Sequence, residues 1–291
     1  MKKKYLNMIL PLILIVVLVS ELIYSISQTE FSKANQGETV QLVHNPWDTE
    51  VASTTVISLV LEEAGFNVNL VSVDNAIMYE SLASGESDAM TAAWLPITHG
   101  SILSEYEHQV EDLGPNLEGA KSGLVVPTYM DIDSIEDLTN QAGQTIVGIE
   151  PGAGIIIQTE LAQDVYSNIS NWKLDTPSTG AMLALLDEAI TNEEEIVITG
   201  WTPHWKFQRY DLKFLEDPEN VYGESEQIHT LARLGLAEEM PEAYRILDNF
   251  NWTVEDMESV TLAMENGITE KQAAQDWIDQ NRDKVDEWLN N

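Results

Sequence analysis

Short apolar runs alternate with amphipathic segments from Thr39 onward, which is the pattern of an α/β protein. Apolar residues recur every three or four positions in the amphipathic segments, as they do on one face of a helix. The predicted strands are 40–43, 68–73, 89–94, 145–149, 172–174 and 196–200, and the predicted helices are 51–65, 76–83, 154–165 and 180–189. We therefore expect two α/β units in succession, each with three strands and two helices.

The two units also share the motif that ends their third strand. Ala93-Trp94-Leu95-Pro96 and Gly200-Trp201-Thr202-Pro203 both follow directly on an apolar run. Pro46 lies 48 positions before Trp94, and Pro151 lies 50 positions before Trp201. A chance likeness between two α/β stretches is the alternative interpretation. Because open α/β sheets bind ligands at the carboxyl ends of their strands, a true repeat predicts a ligand cleft between two lobes.

Two further apolar runs are candidates for the connections between the lobes. Residues 123–127 are predicted to cross to the second lobe, and residues 227–233 are predicted to return. We expect a discontinuous first lobe, 39–126 and 229–291, and a continuous second lobe, 127–228.

The remaining part of the chain is predicted to be helical. One helix covers 241–250, a second begins with a capping box of Thr253 and Asp256 and ends at Gly267, and a third covers 269–289. These helices carry regularly spaced apolar residues and no motif of their own. We expect them to be scaffold and to pack against the first lobe.

Residues 1–27 have the pattern of a targeting segment. Three consecutive lysines precede an apolar run at 8–19, and small residues offer a cleavage site after Ser27. The stretch 5–24 is also about long enough to span a bilayer, so an uncleaved anchor is the alternative. Both interpretations predict an exported protein in the periplasm or on the outer face of the plasma membrane. Residues 28–38 are then a polar linker.

The strongly acidic composition of the chain excludes some classes of binding partner. Lys and Arg number 14 against 49 Asp and Glu, which gives a formal net charge of -35 and a pI near 4.1. Such a chain lacks the basic surface that binds nucleic acid. Its self-repulsion is screened in strong salt, so the composition favours a halophilic source, with an ordinary acidic secreted protein as the alternative.

The chain has no cysteine, which excludes disulfides, thiolate metal sites, cysteine catalysis and a thioether-linked lipid anchor. Nothing resembles a His-Glu-x-x-His zinc motif, a Gly-x-Ser-x-Gly elbow, a Walker loop or a dinucleotide fingerprint. We therefore expect no metal, no cofactor and no enzymatic activity. With carboxylates so abundant, an acidic extracellular hydrolase is kept as the alternative from another class.

Three tryptophans occupy strand ends instead of helix interiors: Trp47, Trp94 and Trp201. A quaternary ammonium group donates no hydrogen bonds, so proteins hold it by cation–π contacts, each worth about 0.5–2 kcal/mol. Three indoles converging from two lobes would form such a cage. The alternative is that they fill the core, as we expect for the other tryptophans, Trp172, Trp205, Trp252, Trp277 and Trp288.

A candidate anion site begins the helix at 154–165. The sequence Pro151-Gly152-Ala153-Gly154-Ile155 is a glycine-rich helix start, where free backbone amides and the helix dipole attract a carboxylate. We assign carboxylate binding to the amides of Gly154 and Ile155, with His99 as a third donor. Pro151 and His204 are expected behind these residues. His204 has no second histidine at ligand spacing, which argues against a metal site.

These motifs together resemble the glycine betaine/proline betaine substrate-binding proteins of ABC importers, the OpuAC-like family. The most specific matches are the segments Trp47-Asp48-Thr49-Glu50-Val51-Ala52-Ser53, Ala93-Trp94-Leu95-Pro96-Ile97-Thr98-His99, Pro151-Gly152-Ala153-Gly154-Ile155 and Ile198-Thr199-Gly200-Trp201-Thr202-Pro203-His204-Trp205. The resemblance covers about 39–289. It implies a type II-like periplasmic-binding-protein fold, whose two lobes close around a ligand in the cleft between them.

The resemblance also implies a cage of Trp47, Trp94 and Trp201 for the ammonium group, and Gly154, Ile155 and His99 for the carboxylate. The expected partners are glycine betaine or a related amine and the permease subunits of an importer, and the protein is expected to be a monomer. Carnitine or choline are alternative ligands, although choline lacks a carboxylate. Many relatives are lipoproteins, whereas this chain has no cysteine to carry a lipid.

Overall fold

The structure is a computed structural model that describes residues 37–290. The predicted signal or anchor and nearly all of the predicted linker lie outside these residues. The described strands are β1 (Thr39–His44), β2 (Asn67–Ser72), β3 (Ala89–Leu95), β4 (Val110–Pro127), β5 (Thr145–Val147), β6 (Lys173–Asp175), β7 (Val197–Thr202), β8 (Leu212–Phe214) and β9 (Glu226–Arg233). All six strands predicted for the two α/β units are present.

Helices follow most of the strands. They are α1 (Asp48–Glu63), α2 (Asn75–Ser84), α3 (Gly100–Tyr106), α4 (Gly154–Val165), α5 (Thr179–Asn192), α6 (Lys206–Arg209), α7 (Leu236–Glu239), α8 (Pro241–Asn249), α9 (Val254–Glu265), α10 (Glu270–Gln280) and α11 (Arg282–Asn290). The predicted helix at 154–165 has the observed bounds, while the predicted helices at 51–65, 76–83, 180–189 and 241–250 differ by a few residues at their ends.

The strands form two groups with the same order. In the first lobe β2, β1 and β3 are parallel, and β9 lies antiparallel beside β3. In the second lobe β6, β5 and β7 are parallel, and β4 lies antiparallel beside β7. The repeat read from the sequence therefore corresponds to a repeat of strand order. Residues at or shortly after the carboxyl ends of parallel strands of both lobes line one common cavity.

Strand β4 belongs to both lobes. Its residues Val110 to Ala120 pair with β9, whereas Lys121 to Val125 pair with β7. The sequence predicted only residues 123–127 of this 18-residue strand. Its first part was missed because the pairing with β9 shifts register three times, which destroys the alternation of apolar and polar side chains.

The C-terminal helices pack against α1 and β4 of the first lobe. Thr253 and Asp256 form the predicted capping box at the start of α9. The single helix predicted for 269–289 is wrong, because the chain breaks at Asn281 into α10 and α11. The side-chain amide of Asn281 donates to the Trp277 carbonyl (2.8 Å) and helps to cap the end of α10.

Candidate functional site

A small cavity lies between the lobes. Its lining includes all six residues that the sequence assigned to ligand binding: Trp47, Trp94, His99, Gly154, Ile155 and Trp201. The first three belong to the first lobe and the others to the second. Four further lining residues were not singled out from the sequence: Thr49, Thr98, Ser122 and Ile149.

The three tryptophans are placed by the ends of strands. Trp47 immediately precedes α1, and Trp94 and Trp201 are the penultimate residues of β3 and β7. The ring centroids of Trp47 and Trp201 lie 6.3 Å apart, with 46° between the planes. Trp94 and Trp201 are only 4% and 6% exposed, so their indole surfaces are turned into the protein and its cavity.

Two of these indoles donate their N–H groups to carboxylates. Trp94 Nε1 donates to Glu50 (2.9 Å), and Trp47 Nε1 donates to Glu150 (3.2 Å) across the cleft. Glu150 also accepts hydrogen bonds from the backbone amide and hydroxyl of Thr179, at 2.8 and 2.7 Å. These bonds fix the orientation of both rings and leave the ring faces free to contact a ligand. The Glu150 carboxylate also attracts positive charge to this region.

Glu50 is a buried carboxyl group on α1. Burial raises its pKa to about 8, and the hydrogen bond from Trp94 opposes that shift. The folded state therefore holds the proton to a higher pH than the unfolded chain does. This contribution to stability is complete below the unfolded pKa of 4.5 and is lost as the pH rises through 8.

Replacing Glu50 should change how stability depends on pH. We expect the ligand-free protein to lose free energy of unfolding between pH 5 and 8, by at most about 1.4 kcal/mol per pH unit from this group. Glu50→Gln should flatten that dependence because an amide does not titrate. Urea unfolding at several pH values measures the effect, with Glu80→Gln, at an exposed position of α2, as the control. Parallel curves for wild type and Glu50→Gln would contradict the assignment.

The start of α4 presents unpaired amides to the cavity. Ala153 is the N-cap residue of this helix, and its methyl side chain cannot accept a hydrogen bond from the first-turn amides. Within residues 37–290 the backbone N–H groups of Gly154 and Ile155 have no hydrogen-bond acceptor, as is normal for the first turn of a helix. They therefore offer two donors to an anion, reinforced by the helix dipole.

Gly154 also fits closely against the opposite lobe. A Cβ atom at this position would lie 2.2 Å from the Thr98 carbonyl oxygen and 2.9 Å from His99 Cδ2. A glycine is thus required for the lobes to approach this closely, and the contact sets Gly154 beside His99.

His99 is held as a neutral side chain. It is 1% exposed, and burial lowers its pKa to about 3. Its Nδ1 accepts a hydrogen bond from the Trp94 backbone amide (3.2 Å), which assigns the ring proton to Nε2. The ring therefore has one donor, and its position beside Gly154 places it next to the free amides of α4.

The two residues expected behind the site are placed differently. His204 is buried against Trp201, with ring centroids 5.0 Å apart, but does not line the cavity. Pro151 is exposed and also lies outside the lining. Within residues 37–290 no group of three His, Cys, Asp or Glu side chains is arranged to hold a metal ion.

Glu226 supports the segment that carries His99. This buried carboxylate on β9 accepts hydrogen bonds from the backbone amides of Ile97 (2.9 Å) and Thr98 (2.6 Å). The hydroxyls of Thr98 and Ser122 donate to its second oxygen. Glu226 was missed in the sequence because its role depends on contacts with residues more than 100 positions away.

Removing the charge of Glu226 should loosen this segment. We expect Glu226→Gln to lower the free energy of unfolding by about 1–3 kcal/mol, because hydrogen bonds to a charged acceptor are lost and one donor faces another. Chemical denaturation measures the difference. Glu224→Gln, an exposed neighbour, is the control and should have no effect. Equal losses in both variants would show that Glu226 has no special supporting role.

Comparison with known proteins identifies the family. Residues 38–280 match the family described as the substrate binding domain of ABC-type glycine betaine transport systems. The chain belongs to this family. Its members are solute-binding proteins of ABC transporters and not enzymes, so the hydrolase alternative is set aside.

Two individual proteins with related sequences are also betaine-binding proteins by name. The glycine betaine/carnitine transport binding protein of Listeria monocytogenes is 49% identical over 170 residues, which span 58% of this chain and 56% of that protein. The glycine betaine/proline betaine-binding periplasmic protein of Salmonella typhimurium is 23% identical over 304 residues and is matched over 87% of this chain and 90% of its own length.

The fold of this chain is also similar to that of a protein whose structure has been solved. Lactococcal OpuAC, in its closed-liganded conformation with glycine betaine, is 50% identical with a TM-score of 0.85. The match covers 87% of this chain and 99% of that one. The predicted two-lobed periplasmic-binding-protein fold is thereby confirmed. Within residues 37–290 no helix is both long and apolar enough to cross a bilayer.

Proposed function

We propose that this chain is the extracytoplasmic solute-binding subunit of an ABC importer for glycine betaine or proline betaine. One observation carries the proposal: a single cavity combines three indole rings with two free helix-start amides and a neutral histidine. A betaine has a permanently charged ammonium group at one end and a carboxylate at the other. Both ends therefore find suitable partners in the same cavity.

The ammonium group would be held by Trp47, Trp94 and Trp201. Its methyl groups donate no hydrogen bonds, so aromatic faces replace water at an electrostatic gain of about 0.5–2 kcal/mol each. The carboxylate would accept hydrogen bonds from the amides of Gly154 and Ile155 and from Nε2 of His99. Because both lobes contribute to each end, a ligand favours the closed arrangement over the open one.

Hydrogen bonds between the lobes support a closing motion. Trp205 Nε1 donates to Asp48 (2.8 Å), and Gln158 Nε2 donates to the Ile97 carbonyl (3.2 Å). We propose that the lobes, divided near 126/127 and 228/229, rotate about β4 and β9. The closed form of a monomeric protein would then deliver its ligand to permease subunits in the membrane, with residues 1–27 directing export.

Carnitine is the second candidate ligand. It also has a quaternary ammonium and a carboxylate, and the Listeria relative is named for both solutes. Choline has the ammonium alone and would leave the amides of Gly154 and Ile155 without a partner. The cavity therefore favours betaines and carnitine over choline.

Isothermal titration in high salt tests this order. Residues 28–291 would be titrated in parallel with glycine betaine, proline betaine, carnitine and choline. We expect saturable one-to-one binding of a betaine and much weaker binding of choline. If choline bound best, the carboxylate site would be wrong. If none of the four bound to folded protein, the proposed function would fail.

A further inference from the structure

Lys206 is a fully buried lysine beside the proposed cage. Its Nζ lies 3.2 Å from the Trp201 carbonyl oxygen and 4.1 Å from the centroid of the Trp201 ring. The side chain has no exposed surface. Within residues 37–290 no ion pair of a carboxylate with this amine is formed within 4 Å, although buried lysines are ordinarily paired. Neither the fold nor the proposed binding site accounts for a lysine here.

The amine covers one face of the Trp201 ring, so a ligand in the cavity can contact only the other face. Trp201 lines the cavity and Lys206 does not. The aliphatic part of Lys206 passes under β7, where its Cε would lie 3.5 Å from a Cβ atom at Gly200. One indole is thus bounded by the lysine amine on one face and by the cavity on the other.

Two titratable groups face Lys206. Asp48 of the first lobe is near enough to act electrostatically, and its carboxylate already accepts a hydrogen bond from Trp205. His204, which is 1% exposed, accepts a hydrogen bond at Nδ1 from the Lys206 backbone amide (3.1 Å). Burial holds the pKa of Lys206 well below its ordinary value, against the opposing attraction of Asp48. Burial likewise holds the pKa of His204 well below its ordinary value.

We propose that Lys206 is a positioning residue that sets the affinity of the Trp201 face for a cation through its own protonation. The neutral amine packs against the indole and leaves the electron-rich opposite face to the ligand. A protonated amine would place a second cation on the same ring and would repel the ligand's ammonium group through it. Binding is therefore tight with Lys206 neutral and weak with Lys206 protonated. This inference rests on the proposed function.

The test compares wild type with Lys206→Met, which keeps the length and apolar stem of the side chain and removes the charge. Glycine betaine affinity would be measured by titration calorimetry from pH 8.5 to pH 5.5 at constant ionic strength. The ligand does not titrate in this range, because its nitrogen carries no proton and carboxyl groups of this kind ionise near pH 3–4. We expect wild-type affinity to fall by roughly fivefold or more toward pH 5.5, as expected for two cations separated by one ring.

Lys206→Met should lose much less affinity over this range than the wild type does, and should keep only the fall that protonation of Glu50, whose pKa is about 8 and which accepts a hydrogen bond from Trp94, causes in both proteins. Equal pH profiles for the two proteins, whether flat or falling, would overturn the proposal, as would a variant that binds weakly at every pH. A purely structural role would not alter the slope of the profile.

A second measurement does not depend on betaine. Carbon-13 NMR of lysine-labelled, ligand-free protein follows the Lys206 Cε signal, identified by its absence in Lys206→Met. We expect the Lys206 amine to lose its proton at a clearly lower pH than the exposed lysines in the same spectrum, and titration of Lys206 together with those lysines would overturn the inference. If the amine is neutral but no betaine binds, the proposed function fails and the titration of Lys206 stands.

Discussion

Gly154→Ala is expected to weaken glycine betaine binding by roughly 10- to 100-fold, the cost of overpacking a tight contact. The added methyl group would lie 2.2 Å from the Thr98 carbonyl oxygen, which is backbone and cannot turn aside. The second lobe must therefore stop short of the first, and the ammonium cage and carboxylate site separate. Titration calorimetry measures the affinity, and small-angle scattering shows whether betaine still contracts the protein.

Gly180→Ala is a matched control. Gly180 also lies in the first turn of a helix of the second lobe, but a Cβ atom there would have no neighbour within 4 Å. Binding should be unchanged, and the protein should be as stable or slightly more stable. If Gly154→Ala bound betaine like Gly180→Ala, the close approach of α4 to Thr98 would not belong to the ligand-bound form.

Trp201→Ala is expected to weaken betaine binding by at least about 1 kcal/mol, or roughly fivefold, because one aromatic face of the cage is lost. Trp201→Phe should lose less, since a smaller ring face remains. Trp252→Phe, in the remote packing of the C-terminal helices, should bind as wild type does. Calorimetric titrations of the three variants would reject the role of Trp201 if its alanine variant kept full affinity.

Local patterns account for what could be predicted from the sequence. The strand ends that carry Trp94 and Trp201, the helix that starts at Gly154 and the capping box of Thr253 each depend on neighbouring residues. The sequence repeat also predicted one long-range feature, namely that the strand ends with Trp94 and Trp201 and the helix start at Gly154 face a common cleft. Six separate positions could be placed in one cavity because strand ends of two similar lobes meet there.

Long-range relations that no repeat encodes could not be predicted. Glu50, Glu150 and Glu226 are three among 49 acidic residues, and only the tertiary structure shows that they accept hydrogen bonds at the site. The sequence around Lys206 gives no sign that this lysine is buried, because lysines at the start of short helices are ordinarily exposed. The first part of β4 was hidden by its register shifts, which follow from pairing with a strand more than 100 residues later.

A crystal structure of the chain with glycine betaine tests the central claim most directly. We predict that the trimethylammonium group lies among the rings of Trp47, Trp94 and Trp201. The carboxylate should lie within hydrogen-bond distance of the Gly154 and Ile155 amides and of His99 Nε2. A betaine bound in the reverse orientation, or outside this cavity, would contradict the account.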